Sequence, residues 1–235
     1  MKTLNRRTFA ALGGAALLPR AAHAETYDLS TLPPGATPHR VTAVPVDYKG
    51  RKALKVELDE KSRKGQPGVD FGDTDTFVMI PVSFRNGTIE VDLLGRLRAD
   101  APPEMRAFAG LAYRIAPDGK KFESAYVRPL NGLKLKPPPP RDKRAVQYFA
   151  YPDWTFDKLR QAYPDGRYEV GANIAGDEWI ALRLDVEEDK VRVSVNGEER
   201  LIVTQPKARP VSGAVGLWVD IGTEAYFAKL RITPR

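Results

Sequence analysis

Glu90 and Asp92, one residue apart in the stretch GTIEVDLL, are the first side chains of this sequence whose types and spacing could do chemistry. In an extended strand, residues i and i+2 share a face, so the two carboxylates project side by side about 7 Å apart. Two carboxyl groups about 5–10 Å apart across a water-accessible cleft are what hydrolysis of a glycoside requires. Glu123, in KFESAYVR, and Asp220, in GAVGLWVD, supply further carboxylates that a fold could bring together. Glu90, Asp92 and Glu123 are therefore the candidate catalytic residues. The plainer reading is that Glu90 and Asp92 are the solvated face of a half-buried strand.

The candidates for binding a ligand are Arg114, Glu123, Gln147, Trp154, Trp218 and Asp220. In GAVGLWVD the apolar residues Val215, Leu217 and Val219 take one face and leave Trp218 and Asp220 on the other. A Trp placed there either stacks on a sugar ring, whose axial C–H bonds suit an aromatic face, or packs beneath a loop. Trp154 and Tyr151, in YPDWTFD, are rim aromatics of a groove or pins for a short helix, and Gln147 lies nearby in AVQYFAY.

Arg114 and Glu123 belong to GLAYRIAPDGKKFESAYVRP, two strands joined at Asp118-Gly119. Centring the turn there pairs Ile115 with Phe122, Tyr113 with Ser124 and Leu111 with Tyr126 on a bulky face. Arg114 then stands opposite Glu123, beside Ala112 and Ala125, as a pair on the floor of a groove. Tyr126 and Arg128 fall to the core side or its margin. A one-residue bulge would undo this pairing.

The elements that must position these residues are strands. After Ala24 nearly every segment alternates apolar and polar residues at period two between Gly, Pro, Asn and Asp, the pattern of an all-β sandwich or barrel. In Trp179 to Thr204, a turn at Glu188-Asp189 pairs Val186 with Val191, Leu184 with Val193 and Leu182 with Val195, so one face is wholly apolar. A three-residue loop Asn196-Gly197-Glu198 extends that face by pairing Val193 with Leu201, and sets Asp185 across from Arg192 as an exposed ion pair. One short helix is expected over Phe156–Ala162, with Thr155 as its N-cap. The connection Pro129 to Arg144 contains four consecutive prolines and reads as a stiff surface loop. Its Lys134, Lys136, Arg141, Lys143 and Arg144 either receive an acidic glycan or keep the loop soluble. Asp70, Asp73 and Asp75 could ligate calcium, but no ion-loop spacing accompanies them, and a polar turn is the better reading. No cofactor and no metal site is expected.

The strands from FRNGTIEVDLLG through FAGLAYRI, KFESAYVRP, VQYFAYP and DEWIALRLDVEEDKVRVSVNGEE to GAVGLWVDIGTEAYFAKLRI span Phe84 to Ile232. In order and spacing they resemble the concanavalin A-like lectin/glucanase and laminin G-like superfamily. They are also similar to the secreted 3-keto-disaccharide hydrolase-like domain family. The superfamily resemblance implies a jelly-roll β-sandwich of two curved antiparallel sheets, with glycans bound in many members across the concave face. The E-x-D of Glu90 and Asp92 resembles the catalytic strand of the laminarinase and lichenase type of glycoside hydrolase, where a second Glu follows. Here Leu94 and Gly95 stand where that acid belongs, so half of the two-carboxylate machinery is missing.

Composition narrows the rest. The chain has no cysteine, so it has neither disulfide nor thiolate chemistry, and of its two histidines only His39 lies beyond the N-terminal stretch. That stretch has the features of an export signal: Lys2, Arg6 and Arg7, an apolar run from Phe9 to Leu18, and Ala22-His23-Ala24 as a cleavage site. The Arg6-Arg7 pair resembles the twin-arginine signal of bacteria. Cleavage after Ala24 removes four of 37 basic residues and leaves 33 against 30 acids, so the formal net charge falls from +7 to +3. A nucleic-acid partner loses its support. The expectation is a periplasmic or secreted protein, with residues 1–24 a signal and 25–235 one domain, free of the membrane. It binds an oligosaccharide or polysaccharide; the alternatives are a glycoside-acting hydrolase or lyase, or a structural domain using its sheet edges.

Overall fold

A computed structural model describes residues 24–235; the expected export signal thus lies, but for Ala24, outside the described residues. The first strands are β1 (Glu25–Tyr27), β2 (Thr37–His39), β3 (Val41–Tyr48), β4 (Arg51–Leu58) and, after helix α1 (Glu60–Arg63), β5 (Phe77–Phe84). The central ones are β6 (Gly87–Leu97), β7 (Ala109–Ile115), β8 (Phe122–Val127) and β9 (Val146–Tyr151). After helix α2 (Phe156–Ala162) come β10 (Glu169–Val170), β11 (Ile180–Val186), β12 (Val191–Val195), β13 (Glu198–Val203), β14 (Gly213–Val219) and β15 (Thr223–Pro234). They form two antiparallel sheets, a jelly-roll β-sandwich. The first runs β13-β12-β11-β6-β15-β4-β3, with β1 also on β15, and the second runs β10-β9-β8-β7-β14-β5-β2.

The period-two pattern decides what each sheet buries. Ile89, Val91, Leu93, Leu182, Leu184 and Phe227 of the first sheet pack in one core cluster with Val78, Leu111, Val215 and Leu217 of the second. Each large side chain removed from water in this way contributes about 1.5–3 kcal/mol, and in a chain without disulfides such burial must hold the sandwich together.

The meander β11-β12-β13 has the expected register: Val186 opposes Val191, Leu184 opposes Val193, and Val193 opposes Leu201. The loop that achieves it differs. Asn196 and Gly197 alone make the turn, both with positive φ as a two-residue hairpin turn requires, so Val195 opposes Glu198. The odd residue is absorbed one pair later, where the register shifts beyond Val193/Ser194. Asp185 does oppose Arg192, yet the two are not an ion pair: Asp185 accepts from its own-strand neighbour Arg183, and Arg192 donates to Glu187.

The β7-β8 hairpin departs from expectation by one residue. Tyr113, not Arg114, opposes Glu123, followed by Ala112 with Ser124, Leu111 with Ala125 and Gly110 with Tyr126. Arg114 sits in a bulge with φ +53. Because side chains alternate, the slip exchanges the two faces. Tyr126 now shares a face with Trp218 and Gln147, and Glu123 shares the other with Tyr113. Gly110 is required at this crossing, since a Cβ there would lie 2.4 Å from the Tyr126 backbone.

Helix α2 occupies the expected span, although the Thr155 side chain does not cap it; the carboxylate of Asp73 accepts the Phe156 N–H at 2.6 Å instead. The Pro129–Arg144 connection is more ordered than a plain extended loop. Three 3-10 turns, Pro129–Asn131, Leu133–Leu135 and Arg141–Lys143, fold it back so that Asn131 Nδ2 donates to the Arg144 carbonyl.

Candidate functional site

The candidate catalytic residues occupy two different places. Glu90 and Asp92 lie together on the outer face of the first sheet, in an open hollow of ≈620 Å³ with Arg183, Lys229 and Arg231. Each carboxylate is already answered: Glu90 by Arg183 at 2.8 Å, Asp92 by Arg51 and by Lys229 at 3.6 Å. Glu123 belongs to the second sheet, so the three do not converge.

Arg114 and Glu123 do pair, at 2.7 Å, but not on the floor of an open groove: their side chains are 1% and 0% exposed. Arg114 points toward the ends of both sheets, where it also donates to the Arg85 carbonyl, Asn86 Oδ1 and the Glu187 carbonyl. The second Glu123 oxygen accepts from Tyr148. Burial pushes the Glu123 carboxyl up, while Tyr148 and Arg114 hold it down. With Trp154 the pair borders a hollow of ≈360 Å³, but its guanidinium and both carboxylate oxygens are committed within the protein, which makes it a structural clamp. Trp154 is half-buried, with Lys207 Nζ 5.0 Å from its ring centre.

Trp218 is fully buried, which removes it as a sugar-stacking platform. Its Nε1 donates to the Thr74 carbonyl, and its ring packs 4.7 Å from Tyr126 and 5.3 Å from Phe149. The segment before β5 crosses the outer face of the second sheet and covers these rings. Gln147, opposite Tyr126 on the same face, is likewise buried, with Oε1 unpartnered.

Where that cover ends, a cavity of ≈380 Å³ opens over the ends of β8 and β14. It is the place where aromatic rings and charged groups converge. Phe71, Phe108, Tyr126 and Phe156 supply rings; Asp73, Asp220 and Arg128 supply buried charge; Arg106, Arg141, Arg144 and Arg160 complete the wall. Of the expected ligand-binding residues only Asp220 is here, beside Arg141 and Arg144 from the loop that was a candidate receiver of an acidic glycan.

The local geometry follows from backbone N–H groups meeting carboxylates. Asp220 Oδ1 accepts from Gly72 N at 2.9 Å and Ile221 N at 2.7 Å, and Oδ2 from Asp73 N at 3.0 Å. Asp73, at φ +56, carries its carboxylate to the start of α2. Burial, then the neighbouring Asp220 charge, pushes the Asp73 carboxyl up to about 7 against the pull of Arg128. Burial raises Asp220 as well, opposed by its three N–H donors.

Arg128 is the buried counter-cation. Nη2 donates to the Tyr126 hydroxyl at 2.5 Å, and Nη1 lies 3.5 Å from Glu169. Its guanidinium carbon is 5.1 Å from the Tyr126 ring centre, 5.4 Å from Phe156 and 5.8 Å from Phe108, a cage of π-faces suited to a desolvated cation. Glu169 also accepts from Arg144 at 3.1 Å and Arg160 at 2.9 Å. Chemically the cavity offers apolar faces, fixed donors, and a carboxyl that titrates near neutrality.

The acids Asp70, Asp73 and Asp75 do not converge. Asp70 accepts from Gln66 N, Asp75 pairs with Lys120, and among the described residues no group of three or more metal-ligating side chains forms.

Sequence reasoning missed Tyr126, Arg128, Arg106 and Arg160 as site residues and considered Asp73 only as a calcium ligand or part of a polar turn. For Tyr126 and Arg128 the signal was the hairpin register, lost to the bulge. For Asp73 it was the Asp-rich turn GDTDT, which carries no mark of its distant partner.

No protein-family model and no curated protein matches the chain. Solved structures do. The carbohydrate binding module CBM66 from Bacillus subtilis superposes with a TM-score of 0.57 at 16% identity, covering 84% of this chain and 95% of that one. A galectin-like-fold protein of unknown function from Bacillus subtilis gives 0.54 at 12% identity, covering 92% and 98%. The Bacillus licheniformis β-glucanase gives 0.51 at 12%, covering 93% and 100%. Identities this low speak for the fold alone, and with the two stacked antiparallel sheets they show that the chain has the concanavalin A-like lectin/glucanase fold that its strand order resembles.

Proposed function

We propose that this protein binds a saccharide in the cavity that opens over the ends of β8 and β14. The observation that carries the reading is the convergence of four aromatic side chains with Arg128, Asp73 and Asp220 in one cavity of ≈380 Å³, a size and make-up typical of small-ligand sites. Two of the solved structures that share the fold are a carbohydrate binding module and a β-glucanase, which supports a saccharide over other ligands of that size. Rings stack on the apolar faces of a sugar while fixed donors and acceptors read its hydroxyls. Screening the protein against glycan arrays and insoluble polysaccharides should return saccharide hits. Phe156→Ala, which removes a partly exposed ring from the wall, should weaken them by about 1–3 kcal/mol. Absence of any saccharide binding above background overturns the reading.

A second reading, cleavage of the bound glycoside, is favoured by one feature: the Asp73 carboxyl at about 7 can both give and take a proton near neutral pH. It predicts that a saccharide found to bind is broken down by the protein and not by Asp73→Asn. Recovery of the intact saccharide after prolonged incubation leaves binding alone. Export completes the proposal: N-terminal sequencing of the protein from a periplasmic or secreted fraction should begin at Glu25.

A further inference from the structure

Five arginines line the cavity, and three are occupied. Arg128 donates to Tyr126 and approaches Glu169, while Arg144 and Arg160 share the same Glu169 carboxylate. The other two are not matched. Among the described residues Arg106 donates through Nη1 only to the carbonyls of Pro103 and Met105, the Arg141 side chain makes no hydrogen bond, and neither forms an ion pair within 4 Å. They stand close enough that the Arg141 charge, after partial burial, lowers the Arg106 pKa. The acids in the same wall offset them only in part: Asp73 and Asp220 are taken up by backbone N–H groups beside Arg128, and Glu104, whose charge pulls the Arg106 pKa back up, is exposed to water. Two buried polar atoms of the wall, Arg128 Nε and Asn131 Oδ1, also lack partners.

Two guanidiniums that repel each other in one cavity wall, with no carboxylate in an ion pair with either, are complementary to an oxyanion, which their planar forks can grip bidentately. Resting on the saccharide reading of the cavity, we propose that its ligand is an anionic saccharide, bearing a uronate carboxylate or a sulfate ester, and that Arg106 and Arg141 form the subsite for that oxyanion.

The test compares matched probes: oligogalacturonides against their carboxyl-reduced forms, and carrageenan oligosaccharides against their desulfated forms. The charged member of at least one pair should bind about tenfold or more tightly than its neutral counterpart, with the advantage shrinking as salt rises; which pair responds tells carboxylate from sulfate. R141Q should erase most of that advantage, read as the ratio of charged to neutral binding within each pair, whereas R141K, which keeps the charge, should retain part of it. R106Q should act in the same direction, but it also loses two turn contacts, so R141Q, with no hydrogen bond to lose, is the decisive variant. Equal binding of charged and neutral members, or an advantage that survives in R141Q, overturns the subsite while the saccharide reading stands. Failure of every probe to bind overturns the subsite, and the saccharide reading falls with it only when the glycan arrays return no hit either.

Discussion

The hollow over β6 and β11 and the cavity over β8 and β14 lie on opposite outer faces of the sandwich, and both are lined by carboxylates and guanidiniums. In the first, Glu90 and Arg183 close on each other with side chains 37% and 45% exposed, so water screens what the pair leaves unbalanced. In the second, Asp73 and Asp220 are buried where the segment before β5 meets the sheet, Arg128 is caged by rings, and among the described residues Arg106 and Arg141 form no ion pair. The residue types are alike. Solvent access decides whether they neutralise one another or hold a field for something else.

That contrast can be broken by removing one charge at a time. The largest effect should come from the buried clamp: Glu123→Ala strands Arg114 in the interior and should cost about 3–5 kcal/mol in denaturant unfolding. A cost near that of a surface pair would mean that water reaches it. Next is a pH dependence specific to the cavity. The Asp73 carboxyl is raised from 3.8 unfolded to about 7 folded, so the folded state holds the proton more tightly. The associated stability is complete below about pH 4 and is lost as pH rises through about 7, on the order of a few kcal/mol. Asp220 acts in the same direction and Arg128 against it. Unfolding curves measured between those pH values should fall for the native protein and flatten for Asp73→Asn; parallel curves refute the assignment. Asp220→Ala, which leaves three N–H groups without their acceptor, should cost about 1–3 kcal/mol. Smallest is Glu90→Gln, within about 1 kcal/mol and fading with salt; a larger, salt-resistant loss would erase the distinction between the two faces.

Two hairpins show how far the sequence could be read. In β11-β12-β13 three apolar pairs over-determined the register, and even a misplaced extra residue left Val193 opposite Leu201. In β7-β8 both faces were acceptable: bulky residues with a Glu, or small ones with an Arg. The bulge at Arg114 then moved Tyr126 to the outer face with nothing in the local pattern to announce it. Trp218 and Asp220 were correctly assigned to that face, yet one is covered and the other borders the cavity, because the covering segment comes from more than a hundred residues earlier. Arg106 and Arg160 carried no local signal at all.

By itself the sequence determined the all-β class, the faces the apolar sets of β6, β14 and the β11-β13 meander take, the register of their apolar pairs and the span of α2. These follow from period-two alternation and turn residues, which act over a few residues. Tertiary structure alone decided that Glu90 and Asp92 meet Arg183, Arg51 and Lys229, that Arg114 and Glu123 are sealed between the sheet ends, and that Asp73 reaches Asp220 and the start of α2. A carboxylate's charge state and availability depend on how much water its neighbours exclude, and those neighbours lie far away along the chain.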